Sequence, residues 1–464
     1  MRNFRRAAFG VLAISTMAIA SSSIRIEAQE TTNPPKSLEE RLEEIDQRVR
    51  ISDRKRELDK EAADEKAKTA ARVAAGRSGF SLTSADSAYS LRIRGYTQAD
   101  GRFVAEESRV PGTINTFLLR RVRPIFEGTV ARSFDFRIML DFGGGVASVQ
   151  DGHVDARFSR AVKLRAGKMK PPFGIERLQS GAEILFIERG LPTNLVPNRD
   201  VGAQIFGDLA QDRIGYAAGI FNGVPDGSSG DIDTNNEKEG VGRVMAAPLK
   251  TATSPWLSGI SVGMAASYGN NKATAAATGL AGYRAPSQQI FFSYRGAGGV
   301  DSTTVVANGR RLRYSPQATL YAGRIGLLGE FVASKNEVRI GANEAELAHE
   351  SWQVTGSYVL TGETPSFRGV TPKRPWERAT GGKGAFEIAG RYGALTADSA
   401  SFPLYANPVS AARRAESWGA GVNWYINRNV KLVVDYDQTQ FDGGARDADR
   451  KTEKLFGQRL QISF

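Results

Sequence analysis

The sequence predicts an all-β protein: a 16-stranded antiparallel transmembrane β-barrel with a short N-terminal α-helical, coiled-coil-like periplasmic segment. Three observations predict it. From about Tyr89 to Phe464, apolar residues recur with period two in segments of about ten residues, the length a tilted strand needs to cross a bilayer. The alternate positions in these segments are often charged, as a water-filled lumen requires. An export signal opens the chain. Composition removes several other classes: with no Cys among 464 residues there is no disulfide framework, thiolate metal site or Cys nucleophile. A mean hydropathy of −0.33 argues against a bundle of transmembrane helices, which needs several runs of about 20 apolar residues.

The N-terminal element reads as a signal peptide over residues 1–28. Arg2, Arg5 and Arg6 precede the apolar stretch 7–20, and Ala28 offers a small residue at the cleavage point. Cleavage there removes four Arg and one Glu and lowers the net charge from +12 to +9. The mature protein is expected to be basic and to reside in the cell outer membrane, with its N-terminal segment in the periplasm.

Residues 29–87 read as a periplasmic helix or coiled coil followed by a linker. Ser37 and Glu40 have the spacing of a capping box. Leu38, Leu42, Ile45 and Val49 then recur at four-three-four spacing, the seam of a coiled coil, and the seam stops where Ser52 and Arg56 take its next positions. Charged, Ala-rich sequence continues to about Ala75, and residues 76–87 look like a linker. A solvated single helix and a short oligomerising coiled coil both fit this segment.

The barrel is expected over 88–464. Phe134, Phe136, Ile138 and Leu140 alternate with Asp135, Arg137, Met139 and Asp141; Val430, Leu432, Val434 and Tyr436 do the same near the C-terminus. A soluble sandwich can also bury such strands, but the export signal, the absence of Cys, aromatic strand ends and terminal Phe464 favour the barrel. About 380 residues at roughly 20–25 per strand and connection give about 16 strands, an even number as bacterial barrels require. Short connections at 142–148, 159–161 and 210–212 are expected as periplasmic turns, and long ones at 224–239 and 362–383 as extracellular loops. The doubtful segment 290–295 is assigned to a long loop. Sixteen strands leave a water channel.

Two clusters carry the candidate chemistry. The connection at about 170–200 is too apolar for an exposed loop, with Ile175, Leu178, Ile184, Leu185 and Phe186 and a helix-capable stretch from Glu176 to Phe186. Folded into the lumen, it would narrow the pore and bring Arg177, Arg189 and Arg199, with neighbouring Lys168 and Lys170, to the eyelet. Charge balance by Glu176, Glu183 and Glu188 in a solvated loop is the competing reading. The second cluster, Arg120, Arg121 and Arg123, lies on the second strand. With Val122, Pro124 and Phe126 facing lipid, Arg121 and Arg123 face the lumen, and Arg120 needs a bulge or a rim position, because an Arg at the bilayer midplane costs about 2–4 kcal/mol. The planar guanidinium fork donates paired hydrogen bonds to phosphate and stays charged at any relevant pH.

At these residues a family resemblance appears. Phe117-Leu118-Leu119-Arg120-Arg121-Val122-Arg123, Leu164-Arg165-Ala166-Gly167-Lys168, Pro172-Phe173-Gly174-Ile175-Glu176-Arg177, Gly421-Val422-Asn423-Trp424-Tyr425 and Leu460-Gln461-Ile462-Ser463-Phe464 resemble, in order and spacing, the phosphate-selective porin O/P family over about residues 91–464. The resemblance implies a homotrimer of 16-stranded barrels passing phosphate or polyphosphate through an arginine-lined constriction. It matches Arg120, Arg121 and Arg189 to constriction arginines. Arg177 takes the place of a central lysine, Tyr96 that of a pore arginine and Arg123 that of an aromatic residue.

The expected function is passive, anion-preferring diffusion, with inorganic phosphate or other small anions and outer-membrane lipid as partners. No nucleic acid, cofactor or metal is expected. The alternative is a general diffusion or sugar-type porin, in which an acidic strip of Asp151, Asp155, Glu176, Glu183 and Glu188 opposes the arginines. An enzyme is not expected: His153 sits in a row of wall charges, and His349 has no metal-site spacing.

Overall fold

A strand that is apolar on one face and charged on the other has two ways to bury itself, and its exposure pattern distinguishes them. The computed structural model describes residues 37–464 apart from 77–78, 109–113, 234, 297–299 and 301; the expected signal peptide at 1–28 lies outside the described residues. On the strands, Phe134, Ile138, Val154, Leu164, Val354 and Leu460 are exposed, whereas Gln98, Asp100, Arg121, Arg313, Asp437 and Arg459 are buried. Apolar outside and charged inside is the inverse of a soluble sandwich and suits a lipid-facing barrel. Aromatic pairs such as Phe386–Trp424, stacked at 5.5 Å, and Trp352–Tyr392, edge-on at 5.4 Å, involve strand residues only partly withdrawn from the surface.

Sixteen strands form the wall: β1 (Ser90–Val104), β2 (Thr116–Val130), β3 (Phe134–Asp141), β4 (Ser148–Arg157), β5 (Lys163–Met169), β6 (Asp200–Leu209), β7 (Ile214–Phe221), β8 (Glu239–Ala246), β9 (Ile260–Lys272), β10 (Val306–Ala322), β11 (Ile325–Ile340), β12 (Asn343–Val359), β13 (Ala385–Thr396), β14 (Ala412–Tyr425), β15 (Val430–Ala445) and β16 (Glu453–Ser463). Each pairs antiparallel with the next. β16 closes on β1 from Leu455 opposite Val104 to Ser463 opposite Tyr96. The segment 290–295 lies, as expected, in the long connection between β9 and β10, where Tyr283–Arg284 and Ile290–Phe292 form a two-stranded ribbon.

Strict antiparallel alternation assigns every connection to a rim. β1 begins and β16 ends at one rim, the terminal rim, which also carries the turns at 131–133, 158–162 and 210–213. The opposite loop rim carries 142–147, 170–199, 222–238 and 273–305. Two assignments made from connection length are therefore corrected. The short 142–148 turn belongs with the long loops, and the long 362–383 connection belongs with the short turns. Length misleads here because the loop rim also holds a two-residue turn, 341–342, while parity along the chain admits no exception.

The N-terminal unit is a helix, Leu38–Thr69. Its capping box forms as the spacing predicts: Ser37 N donates to Glu40 Oε2 at 2.9 Å and Glu40 N to Ser37 Oγ at 3.2 Å. The stretch expected as helix to Ala75 and then linker differs. Arg72–Gly76 and Gly79–Thr83 form a hairpin, and the second strand pairs with Ser90–Ile93 of β1. Gly95 still exchanges two backbone hydrogen bonds with Phe464, both at 2.9 Å; beyond it the edge from Ser90 to Ile93 is taken by the second hairpin strand, where Phe80 and Leu82 supply strand-forming residues.

Two loop-rim connections fold inward. In 170–199, the Glu176–Phe186 stretch is not one helix as expected: only Ile175–Leu178 is helical. The reason is visible in the hydrogen bonds, because wall side chains take the carbonyls a helix would use. Gln98 donates to Gly181 O, Lys431 to Ala182 O and Ile184 O, and Asn423 to Leu185 O. The 273–305 connection adds Tyr283, Phe291 and Phe292 to an apolar core shared with Phe173, Leu191, Leu195 and Val196 of 170–199 and with Phe221, Val332, Leu395 and Phe441 of the wall. One side of the lumen is thereby filled.

Candidate functional site

Two large cavities lie in the barrel among the described residues. One, of about 790 Å³, opens toward the loop rim; the other, of about 930 Å³, opens toward the terminal rim. Among the described residues, Arg123 and Arg199 line both. The first cavity is lined by eight basic side chains and three carboxylates, the second by eleven basic side chains and four side-chain carboxylates.

Arg120 and Arg121 reach this space together through a β-bulge. Gln98 of β1 pairs with Arg121 and Ala99 with Leu119, so Arg120 is the extra residue, and two consecutive side chains point inward. Both meet Glu188 of the inward loop. Arg120 Nε donates to Glu188 Oε1 at 2.5 Å and its Nη2 to Oε2 at 3.2 Å; Arg121 Nη2 lies 3.9 Å from Oε2. Arg102 Nη2 donates to the same carboxylate at 2.5 Å. Arg123 donates from Nε to Asp141 at 2.7 Å and from Nη1 to the Tyr96 hydroxyl at 2.9 Å.

The loop cations are held differently. Lys170 Nζ donates to the carbonyls of Arg177, Leu178 and Gln179 at 2.7, 3.3 and 2.9 Å. Arg177 Nη2 donates to Thr193 O at 2.6 Å, and Arg177 Nε is buried without a partner among the described residues. Arg189 donates to Glu176 O and Gln179 O at 3.1 and 2.7 Å. Among the described residues, none of these three has a carboxylate within ion-pair distance. Burial, then the facing Arg189 and Arg199 guanidinium groups, pull the Lys170 ammonium well below the ordinary lysine range. Arg199 alone of the loop cations has a carboxylate partner, Asp151 Oδ1 at 3.0 Å, and Asp151 also holds Arg137 at 3.1 Å.

The structure thus brings together six of the seven residues singled out from the sequence: Arg120, Arg121, Arg123, Arg177, Arg189 and Lys170. Lys168 stands apart; it pairs with Asp231 of the 222–238 connection and lines neither cavity. Arg102, Asp141 and Arg243 also line the space and escaped notice. The alternation of Gln98, Asp100 and Arg102 along β1 is a signal that points to Arg102. The five carboxylates that the alternative reading would align as one strip have separate partners: Asp155 pairs with Arg165 at 2.7 Å, and Glu176 accepts from Gly190 N and Gln353. His153 Nδ1 lies 3.1 Å from Asp155 in the wall network, and His349 is fully buried with its Nε2 2.8 Å from the Tyr294 hydroxyl.

A closed, lipid-facing cylinder with a charged internal passage is the architecture of an outer-membrane porin. The family described as phosphate-selective porin O and P matches residues 91–464, and this chain belongs to it. Porin O of Pseudomonas aeruginosa is 23% identical over 420 residues, covering 84% of this chain and 91% of that protein. Two solved structures share the fold. The outer-membrane channel DcaP of Acinetobacter baumannii has a TM-score of 0.54 at 10% identity, covering 81% of this chain and 97% of that one. An anion-selective porin from Comamonas acidovorans has a TM-score of 0.50 at 11% identity, covering 81% and 100%. The protein is an outer-membrane channel.

Proposed function

We propose that the channel passes small anions in preference to cations, with inorganic phosphate or polyphosphate as substrates, through a constriction at Arg123 and Arg199 flanked by Lys170, Arg177 and Arg189. The observation that carries the proposal is the excess of basic over acidic side chains in both cavities, together with three loop cations that have only carbonyl partners. A desolvated cation held by carbonyls alone gains when an anion enters, and the anion exchanges part of its water for N–H donors. Arg120 and Arg121, already engaged by Glu188, shape the field and orient that carboxylate away from the passing ion. Binding stays weak: about −4 kcal/mol corresponds to a millimolar site and still permits rapid exit. Two or three charge-assisted hydrogen bonds of about 1.5–3 kcal/mol each suffice before desolvation is counted.

The relatives' names, phosphate-selective and anion-selective, support this reading, as does the dispersal of the acidic residues that a sugar-type pore with a transverse field would align. We further propose a homotrimer with the terminal rim toward the periplasm. The test is the reversal potential across a planar bilayer under a KCl gradient, followed by titration of inorganic phosphate against the chloride current. Anion preference with saturable block is expected. Cation preference overturns the proposal, and a non-saturating response to phosphate reduces the channel to a general diffusion porin.

A further inference from the structure

The N-terminal helix carries a surface that the channel reading leaves unused. Leu38, Leu42, Ile45 and Val49 are all half or more exposed, from 50% at Val49 to 79% at Leu38. Their four-three-four spacing places them at successive d, a, d and a positions of a heptad. In that register the e positions are Glu39, Asp46 and Asp53, and the g positions are Arg41, Arg48 and Lys55. One flank of the seam is acidic and the other basic, a segregation a solitary solvated helix does not need.

We propose that this helix docks on the same helix of other copies of the chain as a parallel, in-register, three-stranded coiled coil. Parallel pairing sets Arg41 against Asp46 and Arg48 against Asp53 of the neighbouring copy. Antiparallel pairing would set basic g positions against each other and acidic e positions against each other, so the charges select the parallel register. The seam residues, Leu38 and Ile45 at d with Leu42 and Val49 at a, fix no strand number by themselves, and three strands rest on the homotrimer proposed above. In the single helix Arg48 pairs with Glu44 and Arg50 with Asp46, both at exposed i,i+4 positions where water competes, so these contacts exchange readily for interchain partners. The seam is four layers long and ends at Ser52 and Arg56, too short to hold alone. It gains from copies already held close, where the effective concentration is high.

The chain contains no cysteine, so Ile45→Cys in the seam and Gln47→Cys on the opposite f position each add a single thiol to the full-length protein. With a trifunctional maleimide applied to outer-membrane preparations, Ile45→Cys is expected to give a three-chain product, and Gln47→Cys about tenfold less. R41D in the Ile45→Cys background is expected to lower the yield about tenfold, equivalent to about 1.4 kcal/mol, and R41D/D46R to restore it. Equal linking at the two positions, no three-chain product from Ile45→Cys, or indifference to R41D overturns the proposal. Bilayer conductance and phosphate block of the same unlinked variants report on the channel reading separately, so the two can fail independently.

Discussion

Arg177 and Arg199 show how differently two guanidinium groups in the proposed constriction act. Arg177 touches only a carbonyl and leaves Nε unpartnered, so Arg177→Ala removes a charge without breaking an ion pair. Losing a charge-assisted bond of about 1.5–3 kcal/mol should weaken phosphate block of chloride current by about tenfold or more. Chloride conductance should fall far less, and an unchanged block would remove Arg177 from the binding site. Arg199 offsets Asp151. Arg199→Ala leaves that carboxylate hydrogen-bonded to Arg137 alone where the two cavities meet, so it should shift the reversal potential toward cations further than Arg177→Ala does, measured under the same KCl gradient. The inward direction of Arg121 and Arg123 is legible from strand alternation. The pairing of Arg120 and Arg121 with Glu188 is not, because it joins residues 68 and 67 positions apart through a loop whose path no periodicity records.

At the scale of the element, the inward loop is tied to the wall by bonds that its own sequence does not announce. Glu330 accepts from Ile175 N at 3.0 Å, Asp435 from Ile187 N at 2.6 Å, and Arg391 donates to Glu188 O at 2.9 Å. Asp435→Ala leaves Ile187 N buried without this partner, a loss of about 1–3 kcal/mol. The barrel ladder does not depend on it. Single-channel records should therefore show larger open-state current fluctuations and weaker phosphate block, while the folded barrel keeps its heat-modifiable mobility on gels. Quiet records with unchanged block would mean that the loop is held elsewhere. Gly174 makes the turn into this loop at a φ of 73°, where an added Cβ would lie 3.1 Å from Val196. The apolar content of 170–199 reveals that the segment is buried. Its irregular backbone beyond Leu178 follows from donors on β1, β14, β15 and β16, which no local propensity encodes.

For the whole molecule, the half-filled lumen is the feature with functional consequences. The ribbon at 283–292 packs into the apolar core and lines the loop-rim cavity at Arg284, Ala285, Gln288 and Ile290. Replacing 283–292 by a short Gly-Ser linker should raise single-channel conductance and preserve the sign of ion selectivity, because the basic residues shared by both cavities lie on β2 and at the end of the 170–199 loop. A reversal of selectivity would show that the ribbon, not the arginines, sets the field. Because the passage is wet, its selectivity is a screened effect: the Debye length falls from about 10 Å at 0.1 M to about 3 Å at 1 M. Anion preference should accordingly shrink as symmetrical KCl is raised over that range, as read from reversal potentials at a fixed concentration ratio.

Period-two alternation, strand length and chain length gave about sixteen strands, and the export signal, the absence of Cys and the aromatic strand ends turned their apolar face to lipid rather than into a sandwich, because a closed barrel satisfies every backbone group between neighbours. The capping box of the N-terminal helix was equally plain, since it is local. The tertiary structure alone decided which rim each connection joins, that Arg72–Gly76 and Gly79–Thr83 extend the β1 edge, that Lys168 leaves the passage for Asp231, and which cations stand without carboxylates. Those outcomes depend on contacts between residues far apart in the chain, where burial and charge pairing prevail over anything a neighbouring residue can dictate.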